Sequence, residues 1–117
     1  MPGRNAPKLA LHFYRSASGQ EPVREWLKAV SRADRHVIGL DLMRAQYRWP
    51  VGMPLCRPLG AGLWEVRSDL ERGRQARVLF CQSGNRLVAL HAFMKKTRTT
   101  PVDALALARA RMKELAL

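Results

Sequence analysis

Acidic residues are scarce in this chain. Nine Asp and Glu stand against 21 Lys and Arg, a formal net charge of +12 over 117 residues. Such an excess on a small domain raises self-repulsion and points to a polyanionic partner. Nucleic acid comes first, because each neutralised phosphate releases a counterion. The cations are mostly arginine, whose planar fork suits phosphate. An anionic membrane fits less well. No long helix pairs a basic face with an aromatic-rich apolar one, and no apolar run approaches the roughly 20 residues of a membrane span.

Cysteine is nearly absent too. Cys56 and Cys81 are far apart and have no cluster of His or Asp ligands beside them, which excludes CxxC chemistry, a disulfide framework and a zinc pattern. Both are expected to be inert, packed thiols. The first residues lack the apolar stretch of a secretory signal, so a cytoplasmic protein is expected. Catalytic signatures are missing as well: no phosphate-cradling glycine loop, no nucleophile elbow and no plausible Ser-His-Asp set. His12, His36 and His91 are scattered. Neither cofactor nor metal is expected.

What remains is a well-patterned α+β chain of one-domain length, 1–117. Residues 1–8 hold two Pro and a Gly without periodicity and read as a loose tail. Leu9 to Tyr14 alternates as a first strand. Pro22 opens a short helix with Val23, Trp26, Leu27 and Val30 on one face. Ser31 to Asp34 resembles a capping box for a second helix, running to about Arg48 with Ile38, Leu42, Ala45 and Trp49 on one stripe. A short extended piece falls near Leu55 to Arg57. Three strands follow as a meander: Leu63 to Leu70, Ala76 to Gln82 and Leu87 to Met94. Thr100 to Asp103 reads as another capping box, with Pro101 at the first position of a last helix carrying Leu105, Ala108, Met112 and Leu115 on one stripe. The predicted order is β-α-α-β-β-β-α, with helices packed on a twisted antiparallel sheet.

Alternation then lines up the cations. Glu65 and Arg67 project from the face opposite Trp64, Arg77 interrupts an apolar strand, and Lys95-Lys96 closes the last strand just before Arg98. If the helices cover the Trp64 face, the other face is a concave cationic surface holding one carboxylate. Such a surface suits RNA cleavage by the RNA's own 2′-OH, because fixed cations stabilise the extra phosphate charge of the transition state. They also depress a neighbouring Lys pKa, making that amine a usable base. The plainer readings are a solvated strand face for Glu65 and Arg67, a buried pair for Arg77, an ordinary basic loop for Lys95 to Arg98, and core packing for His91 and for Trp26, Trp49 and Trp64.

The segments Gly62-Leu-Trp-Glu-Val-Arg67, Arg77-Val-Leu-Phe80 and Leu90-His-Ala-Phe-Met-Lys-Lys-Thr-Arg-Thr-Thr-Pro101, with Ala108-Arg-Ala-Arg111, resemble the phage-derived HigB-like branch of the RelE/ParE toxin superfamily. The resemblance runs from about Leu9 to the end. It implies a RelE-like domain that cuts mRNA on the ribosome as a metal-independent endoribonuclease. It also implies a cognate helix-turn-helix antitoxin, the toxin of such a type II pair causing growth arrest. Superfamily ribonucleases use a basic cluster on the central strands, and the matching positions are Arg67, Arg77, Lys95 and Lys96, with Glu65 and Arg98 as RNA contacts. Many relatives place a Tyr or an acid–base His near the end of the last strand or the start of the final helix. Here Pro101-Val102 stand there, no Tyr follows Tyr47, and His91 is the nearest substitute. The other readings left open are a non-catalytic ParE-like toxin acting on DNA gyrase and a decayed antitoxin-binding protein.

Overall fold

The computed structural model describes residues 8–115. Apart from Lys8, the tail expected over residues 1–8 lies outside the described residues. Strand β1 (Ala10–Phe13) leads into helices α1 (Pro22–Ala29) and α2 (Arg32–Arg48). Strands β2 (Cys56–Gly60), β3 (Leu63–Asp69), β4 (Gln75–Ser83) and β5 (Arg86–Met94) follow, and helix α3 (Val102–Leu115) closes the chain. A single 3₁₀ turn at Glu71–Gly73 joins β3 to β4.

The strands form one sheet in the order β1-β5-β4-β3-β2. The sheet is not wholly antiparallel, as alternation alone suggested, because β1 pairs with β5 in parallel. The connections explain this. Two helices, out and back, return the chain to the end of the sheet where β1 finished, so β2 runs opposite to β1. Three reversals through the meander then bring β5 into the same direction as β1. The extended piece near Leu55 to Arg57 is a full edge strand, antiparallel to β3. Ala61 and Gly62, both at positive φ, make the two-residue connection between them. Primed hairpin turns demand that conformation, which accounts for glycine at 62.

Each face of the sheet is covered. On one, α1 and α2 bury Val23, Ile38, Leu42, Ala45 and Trp49 against Val66, Val78, Phe80 and Ala89. Trp49 stands edge-on to both Trp64 and Phe80, with ring centroids 5.0 and 5.2 Å away. On the other, α3 lays Ala104 and Ala108 on Leu63, Leu79, Cys81 and Leu90. The face opposite Trp64 is therefore not bare: α3 roofs part of it.

The first of the two expected capping boxes is only half made, and the second shows no side-chain cap among the described residues. Ser31 Oγ accepts the Asp34 amide at 3.1 Å, but the Asp34 carboxylate turns away to Arg74, which donates to it at 2.7 and 2.9 Å. Thr100 likewise directs its hydroxyl to Glu65, and α3 begins one residue after Pro101.

Candidate functional site

The cations meet where β3 and β5 end and β2 and β4 begin. Arg67 on β3 is the register partner of Arg77 on β4, which faces Phe93 on β5. One row further in, Arg57 on β2 pairs with Glu65, and Glu65 with Leu79. Lys95 follows directly on β5, its amide donating to the Gln75 carbonyl at 2.7 Å.

An irregularity in β5 brings these groups to one face. Leu79 pairs with His91 but Phe80 with Ala89, so Leu90 is an extra residue. A bulge of this kind shifts the alternation beyond it. Without it, His91, Phe93 and Lys95 would face α1 and α2; with it, they share the face of Arg67 and Arg77.

At the centre lies an ion pair that is 2% exposed on both sides, Arg77 Nε standing 3.6 Å from Glu65 Oε2. The Arg77 guanidinium also donates to the Ala76 carbonyl at 2.9 Å and to Gln75 Oε1 at 3.0 Å. Thr100 Oγ1 donates to the other Glu65 oxygen at 2.9 Å, tying the start of α3 to the sheet. The carboxylate expected on an open face is thus a buried one. Glu65 is 1% exposed, one oxygen accepting from Thr100 and the other facing Arg77, so it organises the site from within rather than facing RNA.

Around this pair stand cations with no acidic partner. Among the described residues Arg57, Arg67, Lys95, Lys96 and Arg98 make no ion pair. Arg67 is half-buried and reaches only the Met53 sulfur, at 3.3 Å. Arg57, Lys96 and Arg98 are exposed. Burial and the charges of Arg77, Arg67 and Arg57 hold the Lys95 ammonium below its usual 10.5, with Glu65 alone opposing them. Burial also lowers Arg77, with Glu65 pulling the other way. A guanidinium nevertheless stays charged in proteins. Four cations thus surround one buried carboxylate, and the arrangement is short of an anion.

His91 is half-buried and stacks on Phe93, ring centroids 5.7 Å apart. Burial, then Arg111, keeps it below the usual 6.5, so its imidazole is neutral at neutral pH. Arg57 and Thr100 escaped the sequence reading. Plain alternation back from the Ala61-Gly62 turn would have set Pro58 beside Glu65; an irregularity between Pro58 and Gly60 puts Arg57 there instead. The Thr100 hydroxyl carried only a helix-capping signal. The two cysteines are buried, and burial pushes the Cys56 thiol up to about 12.

Three helices on a five-stranded mixed sheet, with a cluster of unpaired cations at one end, define a small basic α+β domain compatible with a RelE-like fold. The chain belongs to the phage-derived protein Gp49-like family, whose model matches residues 25–113. That family lies within the RelE/ParE-like toxin superfamily and is toxin-like. No curated protein matches the chain. Among the described residues, no helix is long and apolar enough to cross a membrane.

Proposed function

We propose that this protein is the toxin of a type II toxin–antitoxin pair and cuts messenger RNA on the ribosome. The observation that carries the reading is the set of unpaired cations, Arg57, Arg67 and Lys95, around the buried Arg77–Glu65 pair. One phosphate of an RNA backbone supplies the charge that this cluster lacks.

The chemistry needs no protein nucleophile. The RNA 2′-oxygen attacks the adjacent phosphorus and the bond from phosphorus to the 5′-oxygen breaks, giving a 2′,3′-cyclic phosphate and a 5′-hydroxyl. Lys95, depressed by its neighbours, is the base that takes the 2′-hydroxyl proton. Arg67 meets the phosphate directly, while Arg77 stabilises the pentacovalent charge from beneath. The leaving oxygen takes its proton from the Lys96 ammonium or from water. A neutral His91 is fitted to accept a proton, not to store one. Lys96 and Arg98 hold flanking phosphates. In the cell, a helix-turn-helix antitoxin carrying acidic residues would cover this face together with the two N-terminal helices, opposite charge speeding the encounter.

A pulse of expression followed by primer-extension mapping of mRNA ends tests the reading. The expected result is growth arrest with mRNA cut inside translated codons. Arg67→Ala or Lys95→Ala is expected to lower cleavage on the order of 10²–10³-fold. Arrest with intact mRNA overturns the reading, and a DNA-damage response alongside it would select the gyrase-directed alternative.

A further inference from the structure

The segment between β5 and α3 is exposed from Lys96 to Thr99 and turns inward again at Thr100. Both of its ends are fastened to groups that hold Arg77. At the first, the Lys95 amide donates to the Gln75 carbonyl at 2.7 Å, and the Gln75 side chain accepts from Arg77 Nη2 at 3.0 Å. At the second, Thr100 Oγ1 donates to Glu65 Oε1 at 2.9 Å, and the other oxygen of that carboxylate faces Arg77 Nε. Lys95, Gln75, Arg77, Glu65 and Thr100 thus close a ring, with Lys96 and Arg98 on its exposed arc.

Within this ring Glu65 carries the same sign of charge as a phosphate and competes with it for the same cations. Its contact with Arg77 Nε, at 3.6 Å, is too long for a hydrogen bond. Thr100 Oγ1 therefore makes the only hydrogen bond to the Glu65 side chain among the described residues. A carboxylate taken out of water needs donors or a cation. Lys95 makes no ion pair among the described residues, so a Glu65 released by Thr100 has an ammonium to close on. The charged groups that act on Lys95 are Arg77, Arg67 and Arg57, which ease the loss of its proton, and Glu65, which opposes it.

We propose that Thr100 is a positioning residue for RNA cleavage: its hydroxyl holds the Glu65 carboxylate off Lys95, so that the cationic cluster stays open to a phosphate. The inference rests on the reading of the chain as a ribonuclease with Lys95 as its base. With the hydroxyl in place, the three arginines outweigh the one carboxylate, and the Lys95 ammonium is held below its usual 10.5. Without it, Glu65 comes within ion-pair reach of Lys95, strengthens that amine's hold on its proton and fills the place of the phosphate. Threonine suits the task because it donates to a carboxylate without adding a charge of its own.

Thr100→Val removes the hydroxyl and keeps the shape, whereas Thr100→Ser keeps the hydroxyl. NMR of the full chain labelled with 13C-lysine follows Lys95 through a pH titration, its signal identified by Lys95→Arg. The midpoint should move upward by about one pH unit in Thr100→Val, as for an opposite charge brought close, and stay at the parent's value in Thr100→Ser. Cleavage of mRNA on purified ribosomes should then fall about tenfold near neutral pH in Thr100→Val, one unit being tenfold in the deprotonated fraction. That loss should shrink as pH rises toward the new midpoint, which a merely structural role would not produce. Thr100→Ala lacks the hydroxyl without setting a methyl beside the carboxylate, and should match Thr100→Val or stand in for it if that variant does not fold. A loss of equal size at every pH overturns the proposal, as does Thr100→Ser behaving like Thr100→Val. Intact mRNA with the parent chain removes the ribonuclease reading and this inference with it. Cleavage by the parent with an unmoved Lys95 midpoint in the variants removes the inference alone.

Discussion

Glu65 and Arg77 are the buried charged residues of the sheet among the described residues, and each is the other's reason for being charged there. Removing one partner of a buried pair leaves the other uncompensated, commonly at about 3–5 kcal/mol. At 3.6 Å the contact is too long for a hydrogen bond, and Arg77 has other acceptors, so Glu65→Gln should destabilise by about 3 kcal/mol. Urea unfolding measures this. The double change Glu65→Leu/Arg77→Met should recover most of the loss, since apolar replacement of a whole pair is often neutral. Lys95 gives the second prediction at this scale. A base acts only when deprotonated, so the cleavage rate should climb with pH up to the lowered Lys95 pKa and then level. For an ordinary lysine the climb would centre near 10.5. Arg67→Gln removes one of the charges that lower it and should move that limb to higher pH in a pH–rate profile. A profile unmoved by that change would remove Lys95 from the role of base.

The elements are held to the sheet by the same cations that give the chain its charge. Arg109 donates to the carbonyls of Leu59 and Gly60, and Arg111 to that of Leu90 while lying over the Tyr14 ring. Tyr14 in turn donates to Glu114 at 2.9 Å. The basic last turns of α3 are thus engaged in fastening it across β2 and β5. At the start of α2, the Asp34–Arg74 bridge ties the helix to the β3–β4 hairpin. Arg74 holds the Asp34 carboxyl below its ordinary 3.8. A lowered folded pKa means the stabilisation is complete above the ordinary value and is lost as pH falls through the lowered one. Asp34→Asn should therefore destabilise at neutral pH and flatten the acid limb of stability. Urea midpoints followed from pH 6 downward check this, and a parallel acid limb in both proteins would contradict it.

For the molecule as a whole, charge is the property most open to measurement. If Arg57, Arg67, Lys95, Lys96 and Arg98 each meet a phosphate, log K for single-stranded RNA should fall with log salt at a slope of about −3.5, from roughly 0.7 per contact. Arg57→Ala should reduce the slope by about 0.7. Arg86→Ala, at the far end of β5, should leave it unchanged. Equal effects of the two changes would mean that net charge, rather than this cluster, governs binding.

The sequence by itself determined the elements. Periodicity of 3.6 and of 2 set the helices and the meander, because each needs one apolar face, and the stripe Ile38, Leu42, Ala45, Trp49 is buried as the spacing required. It also determined the charge excess. Tertiary structure decided which face each group shares. The extra residue at Leu90 reverses the alternation of β5, and period-2 reading carries no sign of a bulge inside an apolar run. That reversal places His91, Phe93 and Lys95 with Arg67 and Arg77. Burial of Glu65 was likewise beyond reach of local pattern: a charged residue on an alternating strand reads as solvent-facing. Only the roof of α3 and the Thr100 hydroxyl, 35 residues away, take it out of water. The parallel pairing of β1 with β5 belongs to the same class, since it follows from the path of the whole chain and from no segment of it.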